Sequence, residues 1–335
     1  MVVEKFQGGT GSVCARREDL MQGGRWQGLL LDVTSAPRRP GIAVEVTRGR
    51  RLQIRQGSAV VFLAQLDAAF CYVDYLRLRG YRSVLPPLRW ADARRVGEGP
   101  AEDWDVRWAY RFADLLTTSG TGPLYPSRWL LQSSAPNLRY VAAFGSILEP
   151  APTVDRWSKL LVDDDAGELD WYVHGGSGLV LPMRPMSRPE DARVKAYRKQ
   201  IRDGTLPPIL LWWVSSLDSY LLLDGHDRLA ACLAEVVEPP LMTLTTVVDA
   251  NEVKRCNTWA VRRHVEITNH IEGEISKGTP GAADALVAER RRFADDLVAP
   301  QLCAKPTRAW VLPGGVLSWS HVAALADPVW AGAHR

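Results

Sequence analysis

Asp224-Gly225-His226-Asp227-Arg228 places two carboxylates, an imidazole and a guanidinium around one glycine. The apolar residues 220–223 precede it, and Leu229, Cys232, Leu233 and Val236 follow at helical spacing. A chain that leaves a strand and enters a helix there presents unpaired first-turn amides and the positive end of a helix dipole. Such an end suits an anion. Gly225 lets a phosphate come close to the backbone, and Arg228 could clamp phosphate oxygens with its fork. The five residues read as a phosphate cradle. A competing reading makes Asp-Gly a hairpin turn and His-Asp-Arg a helix cap. The helical period after the motif argues against a returning strand.

Other chemistry-bearing patterns are weaker. His174-Gly175-Gly176-Ser177-Gly178 is of the type found in oxyanion-hole loops, but no Gly-x-Ser-x-Gly elbow accompanies it. Gly8-Gly9-Thr10-Gly11-Ser12 could wrap a phosphate, yet it lacks a P-loop lysine. Glu266 and His270 share a helix face, with His264 and Glu272 nearby, and a metal would require further ligands. Arg188, Arg193, Lys195, Arg198, Lys199 and Arg202 fall on one short helix, either as a nucleic-acid track or as an ordinary exposed face.

The elements that must position the motif are legible around it. Residues 177–183 read as a strand, and Ser187 to Glu190 as a capping box opening a helix with Val194, Tyr197 and Ile201 inward and Gly204 at its end. Pro207-Pro208 introduces a buried strand over 209–214. A turn at 215–219 leads to a second strand at 220–223. Pro239-Pro240 stops the helix after the motif, and 241–248 is a third strand. Towards the N-terminus, 29–33 and 42–46 read as strands, 58–78 as a helix ended by Gly80, and 105–116 as a helix. From residue 251 the pattern is helical, broken at 278–281 and resumed over 282–298.

This order of elements resembles the core of the ParB/sulfiredoxin superfamily. The stretch RKQIRDGTLPPILLWWVSSLDSYLLLDGHDRLAACLAE carries the likeness over about 80 of 335 residues. The resemblance implies an α/β (α+β) fold and binding of a nucleotide (ATP, ADP or CTP). Gly225 and Arg228 match the family's Gly-x-x-Arg and inherit phosphate binding, with His226 and Asp227 beside them. Sulfiredoxins have a catalytic cysteine where this chain has His226, so their chemistry is not expected here. Serine-kinase and nuclease-like members carry Asp-Gly-His-His-Arg, from which Asp227 departs, and a carboxylate there repels a phosphate unless something offsets it. The likeness implies that Asp224 holds Mg2+ or orients an attacking hydroxyl, against the alternative that it caps the following helix. It implies that His226 contacts a phosphate or moves a proton. It also offers Glu190, or Asp191, as a general base, although the capping box explains Glu190 equally well.

Bulk properties bound these readings. The chain is 46% hydrophobic and 24% charged, which excludes a disordered or fibrous protein. A net charge of +3 permits a phosphate-bearing ligand without selecting one. Five cysteines at 14, 71, 232, 256 and 303 form no CxxC pair, as expected of thiols in a reducing cytoplasm. No signal peptide and no membrane span are expected. The thirteen tryptophans suit base stacking or core packing. Three regions are expected: a mixed N-terminal region over 1–150, a ParB/sulfiredoxin-like domain over 151–250 and a mainly helical region over 251–335. The leading functional expectation is a nucleotide-binding protein acting as a phosphotransferase on a small-molecule acceptor, or as a nucleotide hydrolase. The alternatives are a ParB-like DNA-binding or nuclease protein, and a non-catalytic protein-interaction scaffold.

Overall fold

Ile209 to Val214 is apolar at all six positions, and a run of that kind is satisfied in a strand covered on both faces. That is where it lies. The computed structural model describes residues 13–67, 72–134, 157, 160–170, 179–302 and 304–334. The strands, in chain order, are β1 (Cys14–Gln22), β2 (Arg25–Ser35), β3 (Ile42–Thr47), β4 (Arg51–Gln56), β5 (Ala59–Leu66), β6 (Tyr72–Arg77) and β7 (Ser127–Gln132). They continue with β8 (Ala166–Asp170), β9 (Val180–Pro182), β10 (Ile209–Val214), β11 (Ser219–Asp224), β12 (Leu241–Thr246) and β13 (Ala309–Val311). The helices are α1 (Trp90–Gly97), α2 (Trp104–Thr118), α3 (Ala192–Arg202), α4 (His226–Glu235), α5 (Ala250–Ser276), α6 (Ala282–Leu302), α7 (Gly315–Ala326) and α8 (Pro328–Ala333). None of the described helices is long and apolar enough to cross a membrane.

The strands form two mixed sheets. One has the order β1-β2-β7-β12-β10-β11-β9, the other β13-β3-β4-β5-β6-β8. At the centre of the first sheet β10 is antiparallel to β11 and parallel to β12, and β11 is parallel to β9. The two faces of β10 serve two cores. Leu210, Trp212 and Val214 join a core shared with the second sheet and with Trp108 and Phe112 of α2. Ile209, Leu211 and Trp213 face the other way, towards Leu229 of α4. Val194 of α3 packs on Ala230 and Ala231 of α4, so α3 and α4 lie together on that outer face. On the far side of the second sheet, Trp319, Ala323 and Ala331 from α7 and α8 cover Leu63 and Leu76.

The predicted elements from 191 onward appear close to their expected places. The helix expected over 58–78 does not: that stretch forms β5 and β6. Phe62 and Ala64 face the shared core while Leu63 faces α7 and α8, and all three are at most 1% exposed. With both faces covered, the alternation that signals a strand vanishes, and the apolar run imitates a helical stripe. Gly80, at φ 109°, turns the chain after β6 and ends no helix. The boundaries expected at 150 and 250 do not coincide with breaks in the sheets. β1, β2 and β7 hydrogen-bond into the same sheet as β9 to β12, and β8 completes the sheet of β3 to β6. Strand pairing between distant segments carries no periodic trace in the sequence, which is why these joins were not visible there. Trp108, Trp129, Trp157, Trp212, Trp213 and Trp319 are buried, so tryptophan here mainly packs cores; Trp90 and Trp259 are exposed.

A single core across both sheets has a measurable consequence. Phe112→Ala should cost about 3–5 kcal/mol, the usual loss for a buried phenylalanine. Urea unfolding of the variant should still show one transition by far-UV and tryptophan signals; separate transitions would contradict the shared core.

Candidate functional site

β11 ends at Asp224, and α4 begins two residues later at His226. Gly225 makes the turn at φ 95°, ψ 21°, a left-handed conformation that glycine adopts without a steric penalty. A side chain there would also collide: a Cβ would stand 2.9 Å from Ile209 Cγ2 and 2.9 Å from Arg228 Nη2. The close approach expected for a phosphate is therefore made by the chain itself, against the start of β10. The junction is the expected strand–glycine–helix, not a hairpin.

Arg228 departs from expectation. Its side chain is only 3% exposed, and Nη2 donates to Asp224 Oδ2 at 2.6 Å and to the Pro208 carbonyl at 3.1 Å. The guanidinium also lies 5.9 Å from the Tyr197 ring centroid. Burial is the strongest influence and works against the cation, but Asp224 and Tyr197, by charge and hydrogen bonding together, outweigh it and hold Arg228 protonated above its ordinary value. Arg228 thus braces β10, β11 and α4 from inside and does not offer its fork to a ligand. The reason is local: at i, i+4 from Asp224 it finds a carboxylate before it finds solvent. Asp224 is equally committed, because Oδ1 accepts a 2.5 Å hydrogen bond from Ser83 Oγ. Each Asp224 oxygen accepts one hydrogen bond, and an Mg2+ held there would have to compete with the Arg228 cation 2.6 Å away. No group of three or more potential ligands capable of holding a metal occurs among the described residues.

His226 is buried at 3% exposure, with Nε2 lacking a hydrogen-bond partner. Burial, then the positive field of Arg184, holds its imidazole well below the ordinary 6.5, so the ring is neutral. Tyr81 lies beside it, with ring centroids 6.0 Å apart. The Tyr81 hydroxyl donates to the Leu223 carbonyl at 2.5 Å, and burial followed by the Asp224 charge keeps it a phenol. Cys232, further along α4, is buried, and its thiol is pushed up to about 12, so it supplies no thiolate.

Asp227 has the partners that a ligand would want. Arg184 Nη2 donates to Oδ1 at 2.6 Å, Ser187 Oγ donates to the same oxygen at 2.5 Å, and Arg193 Nη1 stands 3.7 Å from Oδ2. Burial raises the carboxyl, but Ser187 and Arg184 pull harder and hold it below its ordinary value. The capping box expected at Ser187 is therefore not formed: its hydroxyl goes to Asp227, and α3 starts later, after Asp191. The loop that carries Arg184 and Ser187 is tied to the second sheet. Arg77, at the end of β6, donates to Asp163 Oδ1 at 2.9 Å and to the Pro182 carbonyl at 3.1 Å, and Asp163 Oδ2 accepts from the Met186 amide at 3.1 Å.

Glu190 is exposed in the turn before α3, and among the described residues no hydrogen bond or ion pair joins it to this cluster. Arg198 and Arg202 both pair with Glu235 of α4, at 2.6 and 3.1 Å, so part of the basic face of α3 is neutralised. His264 pairs with Glu289 of α6 at 3.2 Å and stacks on Phe293, while Glu266 and His270 are exposed. The glycine-rich runs at 8–12 and 174–178 lie outside the described residues. Tyr81, Ser83, Arg77 and Arg184 were missed in the sequence. The first three act across more than 80 residues of chain separation, and Arg184 stands alone between prolines with no periodic signal. In comparisons with known proteins, no protein-family model, no curated protein and no solved structure matches the chain.

Two outcomes follow from this geometry. Asp224→Ala strands a buried guanidinium and should lose about 3–5 kcal/mol in urea unfolding, whereas the double variant Asp224→Leu, Arg228→Met should recover much of that loss. Folded His226 stays neutral while the unfolded chain takes up a proton near 6.5, so its contribution is full above that pH and is lost as the pH falls towards the lowered folded value. Melting temperatures between pH 7 and 5 should therefore fall more steeply in the native chain than in His226→Leu.

Proposed function

We propose that the chain is a ParB/sulfiredoxin-like nucleotide-binding protein whose phosphate contacts come from the first turn of α4, Arg184, Arg193 and the Ser187 hydroxyl. Arg228 has a different job in this reading, as the internal brace of the junction. The observation that carries the proposal is the grip on Asp227: two guanidinium groups and a hydroxyl gather around an anion at the start of a helix. Those are the donors that recognise phosphate. The order α3, β10, β11 and α4 is also the one the resemblance implies.

Binding is better supported than turnover. Phosphotransfer to a small-molecule acceptor, or nucleotide hydrolysis, is helped by a residue free to orient the nucleophile and take its proton. Asp224 is held by Arg228 and Ser83, and His226 is buried. A nucleic-acid track along α3 has less support, because Arg198 and Arg202 are spent on Glu235. One observation favours a second reading, a non-catalytic scaffold: Asp224 with Arg228, and Asp227 with Arg184, already neutralise one another.

Isothermal titration of the full chain with ATP, ADP and CTP decides between them. The expected result is saturable binding of at least one nucleotide within about 1 mM, near 4 kcal/mol of affinity. Arg184→Ala should weaken it about tenfold. Absence of binding by all three, to the native chain and to an Asp227→Asn chain alike, overturns the nucleotide reading in favour of the scaffold.

A further inference from the structure

We infer that Asp227 is an autoinhibitory counter-anion: it fills the phosphate seat from within, and a phosphoryl-bearing ligand binds by displacing it. The inference rests on the nucleotide-binding reading and concerns the regulation of that same site.

The geometry has the layout of an occupied seat. The Asp227 side chain is 10% exposed, while its partners Arg184 and Arg193 are 36% and 68% exposed. The cations therefore form the rim and can meet an incoming anion, and the carboxylate sits inside them. Arg184 does not depend on Asp227 alone for its place. Its Nη1 also donates to the Pro185 carbonyl at 3.2 Å and to Ser187 Oγ at 3.3 Å. The loop itself is anchored separately, through Asp163 to the Met186 amide and to Arg77. The seat can keep its shape when the carboxylate leaves.

Like charges repel, so a phosphoryl group and the Asp227 carboxylate do not share one pair of guanidinium groups at full strength. The ligand's oxygens take the Arg184 and Ser187 donors, and the carboxylate turns towards solvent. No covalent step is involved.

Asp227→Asn keeps the size of the side chain and removes its charge. Titration of the full chain with ADP and with inorganic pyrophosphate, in chloride buffer, should show binding at least about tenfold tighter than in the native chain, or about 1.4 kcal/mol. Asp227→Ser is the companion should the Asn variant fail to fold, with far-UV circular dichroism as the check. If the native chain binds and neither variant binds more tightly, the autoinhibitory contact is wrong and the nucleotide reading stands. If no form binds either probe, both fall. If only the variants bind, the contact is upheld, and nucleotide binding belongs to the released state.

Discussion

The Asp224–Arg228 pair is the interaction on which the junction depends. Arg228 is 3% exposed, and its bonds to Asp224 and to the Pro208 carbonyl join the end of β11, the first turn of α4 and the residue before β10. A buried guanidinium is costly unless every nearby acceptor is aligned with it. Those alignments fix where α4 starts and how it leans on the sheet. Gly225 completes the arrangement, since a larger residue would press on Ile209 and on Arg228 itself.

The junction is also where the two sheets meet chemically. Tyr81 and Ser83, in the loop after β6 of the second sheet, donate to the Leu223 carbonyl and to Asp224 of the first. Arg77, at the end of β6, reaches the Pro182 carbonyl of β9 and holds Asp163 under the loop of Arg184. The same loop then grips Asp227. Thus the residues around α4 inherit their positions from a core that extends through Trp108, Phe112 and Trp212, not from the motif alone.

Charge is distributed in two separate systems. In one, Asp224 neutralises Arg228, whose side chain is 3% exposed. In the other, the buried Asp227 carboxylate balances Arg184 and Arg193, whose more exposed side chains form the rim. On the nucleotide-binding proposal, this division moves phosphate contacts away from the arginine of the Gly-x-x-Arg pattern and onto residues of the preceding loop and helix. It also leaves the described cluster without an uncommitted base, which is why binding suits the geometry better than turnover.

The sequence by itself determined the local elements around the motif. Residues 209–214 are apolar throughout, Pro239-Pro240 breaks the chain, and the period of Leu229 and Cys232 is helical, so strand, turn and helix followed from short-range physics. Gly225 was legible as a special backbone position for the same reason. Only the tertiary structure decided what faces what. It turned Arg228 inward to Asp224, gave the Ser187 hydroxyl to Asp227 in place of a helix cap, and left Glu190 apart in solvent. It also made strands of 59–66 and 72–77, because coverage on both faces erases the alternation that marks a strand. Side-chain direction and long-range pairing depend on neighbours supplied by distant segments, and residue spacing carries no record of those neighbours.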